Sequence, residues 1–89
     1  MRAVITVIGK DRRGIIAGVS TELATAGINI LDISQTTLQE YFAMIMLVDM
    51  AEARGVFHEI KRNLDKKGQE LGMQITIQRE DIFNAMHEI

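Results

Sequence analysis

Cysteine is absent from this 89-residue chain, which excludes disulfides and thiolate chemistry and suits a reducing compartment. Tryptophan is absent too, and the aromatics stop at one tyrosine and three phenylalanines. Histidine occurs only as His58 and His87, each alone on an expected helix with no partner at ligand spacing, so no metal site is read. Neither sign of charge dominates. Ten basic against twelve acidic residues give a net charge of −2, which removes the electrostatic case for nucleic acid or an anionic membrane surface. No apolar run approaches the ~20 residues that span a bilayer. The opening Met1-Arg2-Ala3-Val4-Ile5 starts a strand pattern rather than a signal peptide. A cytoplasmic protein without a cofactor is expected.

What is present is hydrophobic material, at 47% of the residues. A chain this short makes one domain and buries only roughly 60–65% of its unfolded surface, so folding alone is marginal. Apolar residues beyond the needs of a small core are available for a subunit interface.

The pattern along the chain alternates between strand and helix. Residues 2–8 are β-branched and apolar, and Gly9 stops them. Across residues 14–26, Ile15, Ile16, Val19 and Leu23 recur at helical spacing, with Gly27 where a terminating glycine belongs. Residues 28–37 alternate as a second strand, with Ile28, Ile30, Asp32 and Ser34 assigned to one face. Residues 41–48 form a third strand carrying Met44 and Met46. Asp49 and Glu52 have the spacing of a capping box for a second helix, whose stripe is Val56, Phe57, Ile60, Leu64 and Leu71. Gly68 is expected to weaken the last turn of that helix and Gly72 to end it. Residues 73–79 alternate as strand four, and Ile82, Phe83, Met86 and Ile89 give the tail an amphipathic helical pattern.

That order is an α+β, ferredoxin-like βαββαβ sandwich plus a short C-terminal helix. Two right-handed crossovers interlock into an antiparallel sheet of order 4-1-3-2 with both helices on one face. Residues 1–80 form the domain, and residues 81–89 are its amphipathic tail. The central strands, one and three, are apolar on both faces, yet two helices cover only one. The tail or a second copy of the chain must cover the other, and a homodimer is the simplest expectation.

The loop from Gly9 to Gly14 joins a strand to a helix, so the amides near Gly14, Ile15 and Ile16 lack intrahelical partners and carry the positive end of the dipole. A carboxylate is favoured there, and Asp11 beside it can meet an ammonium group. Together these groups suit an α-amino acid. The plainer alternative is that Asp11 caps the helix while Lys10, Arg12 and Arg13 are solvated surface. Gly9-x4-Gly14 is half of a phosphate loop, but Ile15-Ile16 replaces the Lys and Ser/Thr that chemistry needs.

Gly9-Lys10-Asp11-Arg12-Arg13-Gly14-Ile15-Ile16, followed by Val19, Leu23 and Gly27-Ile28-Asn29-Ile30, resembles the ACT-domain signature. The resemblance extends over residues 2–80 and is nearest the small stand-alone ACT proteins and those akin to the glycine-cleavage-system repressor. It implies allosteric, regulatory binding of an amino acid between two copies of the domain. The implied ligand-binding positions are Lys10, Asp11, Arg12, Arg13, Gly14, Ile15, Asn29 and Ile30, with Asn29 supplied by the neighbour. Arg13 stands where the family usually has proline, which would pre-set the first helical turn. The geometry of the expected elements agrees independently, since a helix of about 13 residues separates Asn29 from its own loop by ~20 Å.

Fold does not fix function, and other readings use the same architecture. A protein-interaction or transcription-regulatory module without a working ligand site fits the same pattern. An acylphosphatase-type hydrolase needs an arginine and an asparagine together, but Asn29 falls at the wrong end of the sheet. An RNA-binding sheet needs exposed aromatics on strands one and three, and strand one has none. No nucleophile has a base at a usable spacing, so no enzymatic activity is expected.

Overall fold

The computed structural model describes residues 1–87. Its elements are β1 (Arg2–Lys10), α1 (Ile15–Thr25), β2 (Asn29–Leu38), β3 (Tyr41–Asp49), α2 (Phe57–Leu71), β4 (Met73–Arg79) and α3 (Glu80–His87). The strands form one antiparallel sheet in the order β2-β3-β1-β4, as the crossover rules require.

Strand alternation assigns the two faces. Ala3, Ile5 and Val7 of β1, Met44, Met46 and Val48 of β3, and Ile75 and Ile77 of β4 are all buried. They meet Ile15, Val19 and Leu23 of α1 and Ile60 and Leu64 of α2 in a single core. The opposite face carries Val4, Thr6 and Ile8 of β1 beside Tyr41, Ala43, Ile45 and Leu47 of β3. Val4 is only 8% exposed although both long helices lie on the other side. The element that accounts for this is α3, which packs on β1 and β4. The Arg2–Glu80 ion pair at 2.7 Å ties its first residue to the start of β1. Farther along the same face Ile8, Tyr41 and Ile45 are each about half exposed, and none of the described residues covers them. The tail therefore packs through its half-buried Phe83, whereas Ile82 remains 48% exposed. The contributions expected of the Met86 side chain and of Ile89 fall outside what is described.

Three local expectations are corrected. Strand two does not alternate without interruption, because a bulge at Leu31 shifts the register between Ile30 and Asp32. Ile30 opposes Val48 and Ile33 opposes Met46 on the helix side, while Asp32 and Ser34 turn with Asn29 to the open face. Asp49 and Glu52 do not form a capping box. The helix starts eight residues after Asp49, with Val56 as its extended N-cap, and Asp49 instead accepts the Ala51 amide at 2.9 Å. That later start leaves Val56 outside the helix and 61% exposed. Gly68 is not merely a weak point: it is buried, and a Cβ there would lie 2.6 Å from the Met73 carbonyl. Glycine is what allows α2 to approach β4 so closely.

The two βαβ halves also brace one another in a way no sequence repeat announces. The Arg12 guanidinium, three residues before α1, donates to the Leu71 carbonyl at the end of α2 at 3.1 Å. The Arg54 guanidinium, three residues before α2, donates to the Thr25 carbonyl at the end of α1 at 3.0 Å. Neither helix has a basic residue in its own last turn. Each receives from the other half the cation that its negative end favours.

Candidate functional site

The β1–α1 loop is held from both sides. Gln39 adopts a left-handed φ of 54° in the two-residue turn between β2 and β3, and the neighbouring Glu40 carbonyl accepts the Asp11 amide at 2.7 Å. Arg12 is held from the other side by α2. Between them Gly14 turns the chain into α1 with φ 84° and ψ 5°, a conformation that costs an L side chain roughly 1–2 kcal/mol. Its carbonyl accepts the first helical bond, from the Gly18 amide at 2.8 Å.

No side chain caps α1, so Asp11 is not the helix cap that the plainer reading offered. The first turn of α1 also contains no acidic residue. The contrast with α2 decides what this means. α2 likewise lacks a side-chain cap, but it carries Glu59 in its first turn, and the Glu59 carboxylate reaches to within 2.9 Å of where a Cβ on Gly55 would sit. One helix supplies its own anion at its positive end, and the other leaves that end bare. Beside the bare end lies an open depression of about 430 Å³ walled by Asp11, Arg12, Gly14, Ile15, Ile16, Ala17 and Phe42.

The sequence-predicted residues divide into two groups. Lys10 ends β1 opposite Tyr41, and Lys10, Asp11, Arg12, Arg13 and Gly14 are all exposed around the depression or next to it. The Ile15 side chain is 2% exposed in the core, which leaves only its backbone for a ligand. Arg12 is both a wall of the depression and the cap of α2, a double commitment the sequence did not reveal. Asn29 is elsewhere. It opens β2 opposite Asp49, in a second depression with Gly27, Ala51 and Glu52. Asp49 and Tyr41 are the two ends of β3, so the Asn29 end and the Asp11 end of one chain are separated by about 26 Å at the usual strand rise. Ile30 is half-buried against the core. No single chain can bring both groups to one small ligand.

Among the described residues no helix is long and apolar enough to cross a membrane, and no three His, Asp or Glu side chains converge to hold a metal.

Comparison with known proteins matches residues 2–78 to the ACT domain. A UPF0237 protein of Clostridium acetobutylicum is 58% identical over the full length of both chains. Among solved structures, an ACT domain protein from Streptococcus pneumoniae superposes with a TM-score of 0.82 and 46% identity, covering 93% of each chain. The regulatory subunit of aspartate kinase from Thermus thermophilus, in its ligand-free form, superposes with a TM-score of 0.66 and 28% identity. That match covers 86% of this chain and 50% of the other.

Proposed function

The chain belongs to the ACT-domain family of regulatory, small-molecule-binding domains, and on that premise we propose that it binds an α-amino acid between two copies of itself. The observation that carries the reading is the bare, positive end of α1 beside Asp11, set against the self-supplied carboxylate of α2. A ligand carboxylate sits on the free amides, and its ammonium faces Asp11. Asn29, with a donor and an acceptor on one side chain, serves the same zwitterion from the partner.

The separation of the two groups supports a dimer. β2 is an edge strand, paired on one side only. A two-fold axis that sets β2 antiparallel to its copy carries the Asn29 end of one protomer to the Leu38 end of the other. Leu38 pairs with Tyr41, which in turn pairs with Lys10, next to the Asp11 loop. A second reading, a protein-interaction module without a ligand, is favoured by the uncovered Ile8, Tyr41 and Ile45 on the open face.

Melting curves in the presence of each common amino acid test binding, since a ligand at 100 times its Kd adds about 2.7 kcal/mol. Asp11→Ala and Asn29→Ala should each weaken the active amino acid by about one to two decades, the loss of a charge-assisted contact of roughly 1.5–3 kcal/mol. Mixing the two variants puts both lesions in one site of the heterodimer and leaves the other intact, so binding returns at half of the heterodimer's sites, about a quarter of all sites in a freely exchanging equal mixture. The reading fails if neither substitution weakens binding, or if subunits exchange and nothing returns.

A further inference from the structure

We propose that Arg12 is a lever that transmits occupancy of the β1–α1 loop to the C-terminal turn of α2; this rests on the amino-acid reading above. The guanidinium has one acceptor in the structure and an open depression beside its residue. It donates to the Leu71 carbonyl at 3.1 Å, and Arg12 forms part of the wall of the depression that Asp11 and Gly14 also line. A carboxylate placed there competes for it. One contact to a neutral carbonyl is the weaker partner, because a guanidinium binds carboxylate through two parallel, charge-assisted bonds of roughly twice the strength. The arm is exposed, so swinging it breaks no core packing.

The matching arginine shows why only one of the two caps can switch. Arg54 is braced: its own amide donates to the Ala26 carbonyl at 2.7 Å, and its Cγ lies 3.6 Å from where a Cβ on Gly27 would be. Arg12 has no such brace on α2. The backbone bond beside it, from Asp11, runs to Glu40 in the β2–β3 turn, and its Nη1 rests 3.4 Å from where a Cβ on Gly72 would be. Arg12 grips α2 by the guanidinium alone.

An occupied loop therefore releases Leu71 and loosens the last turn of α2 and the left-handed Gly72 that leads into β4. β4 is the edge opposite β2. A ligand held along the β2 side is thus felt on the far edge of the sheet, where a regulated partner can read it.

Amide hydrogen exchange and chemical shifts, followed by NMR on the intact protein, separate the steps. Without ligand, Arg12→Ala should raise exchange at Glu70, Leu71 and Gly72 about fivefold, as loss of one net hydrogen bond does. Arg54→Ala should leave those three amides unchanged. Each common amino acid is then added at millimolar concentration. One that shifts the resonances of residues 14–17 in wild type should raise exchange at residues 70–72 by a similar factor. Arg12→Ala should bind that amino acid more weakly, and with its concentration raised until the shifts of residues 14–17 saturate, exchange at residues 70–72 should change no further. If the loop responds and residues 70–72 do not, or respond equally in Arg12→Ala, the lever is refuted and amino-acid binding stands. If no amino acid perturbs the loop, both are refuted.

Discussion

Replacing Gly68 with alanine should destabilise the protein, against the usual rule for a helix interior. Helix propensity alone favours alanine over glycine by about 0.8–1 kcal/mol. At Gly68 the new Cβ would lie 2.6 Å from the Met73 carbonyl oxygen and 3.3 Å from Ile75 Cγ1. The nearer atom belongs to the backbone where β4 begins, and the Met73 and Ile75 side chains there are both buried. Relief requires α2 to lift off β4, an overpacking cost of about 1–3 kcal/mol, with a backbone contact toward the upper end. The net loss is about 1–2 kcal/mol, or a fall in Tm of roughly 4–16 °C for a domain of this size. Gly18→Ala is the matched control. Its Cβ would meet Leu71 Cδ1 and Cδ2 at 3.1 and 3.2 Å, the far end of a half-buried side chain that can rotate away. That variant should be neutral or gain up to about 1 kcal/mol. Circular dichroism melts and urea titrations of both variants check the ordering. A Gly68→Ala protein that melts at or above wild type while Gly18→Ala melts lower would refute the reasoning.

The remaining contacts make further predictions. Arg12→Ala and Arg54→Ala should each cost about 1 kcal/mol in urea titration, the net worth of one exposed hydrogen bond to a helix end. Ile45→Arg, at a site 49% exposed on the open face, should leave Tm within a few degrees and leave a dimer paired through β2 intact in sedimentation velocity. Weakened self-association would place the open face, not the β2 edge, in the interface. Deleting residues 81–89 should uncover Val4 and raise light scattering on heating, and an equally soluble truncated protein would make the tail dispensable.

Much of the architecture was legible because it follows from periodicity that burial enforces. The apolar runs of β1 and β3, the alternation of β4 and the stripe of Ile15, Val19 and Leu23 leave few ways to build one core. The glycines after each long helix were legible for a similar reason, since Gly27 and Gly72 take φ of 73° and 70°. What escaped was set by contacts distant in sequence. The bulge at Leu31 depends on registry with β3, and nothing local in Ile30-Leu31-Asp32 marks it. The start of α2 was placed too early because Asp49 and Glu52 have capping-box spacing, while the chain spends Asp49 on a turn at Ala51. Arg12 looked like solvated surface or a ligand contact, and its bond to Leu71 spans 59 positions. For the candidate site, the loop was visible from Gly9, Asp11 and Gly14. The feature that distinguishes it, an α1 terminus without a cap or an acid, became visible only beside α2.

That asymmetry can be erased by one substitution. Ile15, Ile16 and Ala17 are the first three residues of α1, as Phe57, His58 and Glu59 are of α2, so Ala17→Glu copies onto α1 the acid that α2 already carries. Ala17 is exposed, and the new side chain enters no core. Its carboxylate should satisfy the positive helix end and stabilise the fold by about 0.3–1 kcal/mol. The same carboxylate then occupies the place proposed for the ligand's, and like charge beside Asp11 adds to the exclusion. The variant should therefore melt slightly higher than wild type and show no shift with any amino acid that stabilises wild type. The two signs test different things. A lower Tm would mean that the α1 terminus is not an unmet positive end. A higher Tm with amino-acid binding intact would mean that the bare terminus is not where the carboxylate goes, and the ligand site would have to be sought away from the β1–α1 loop.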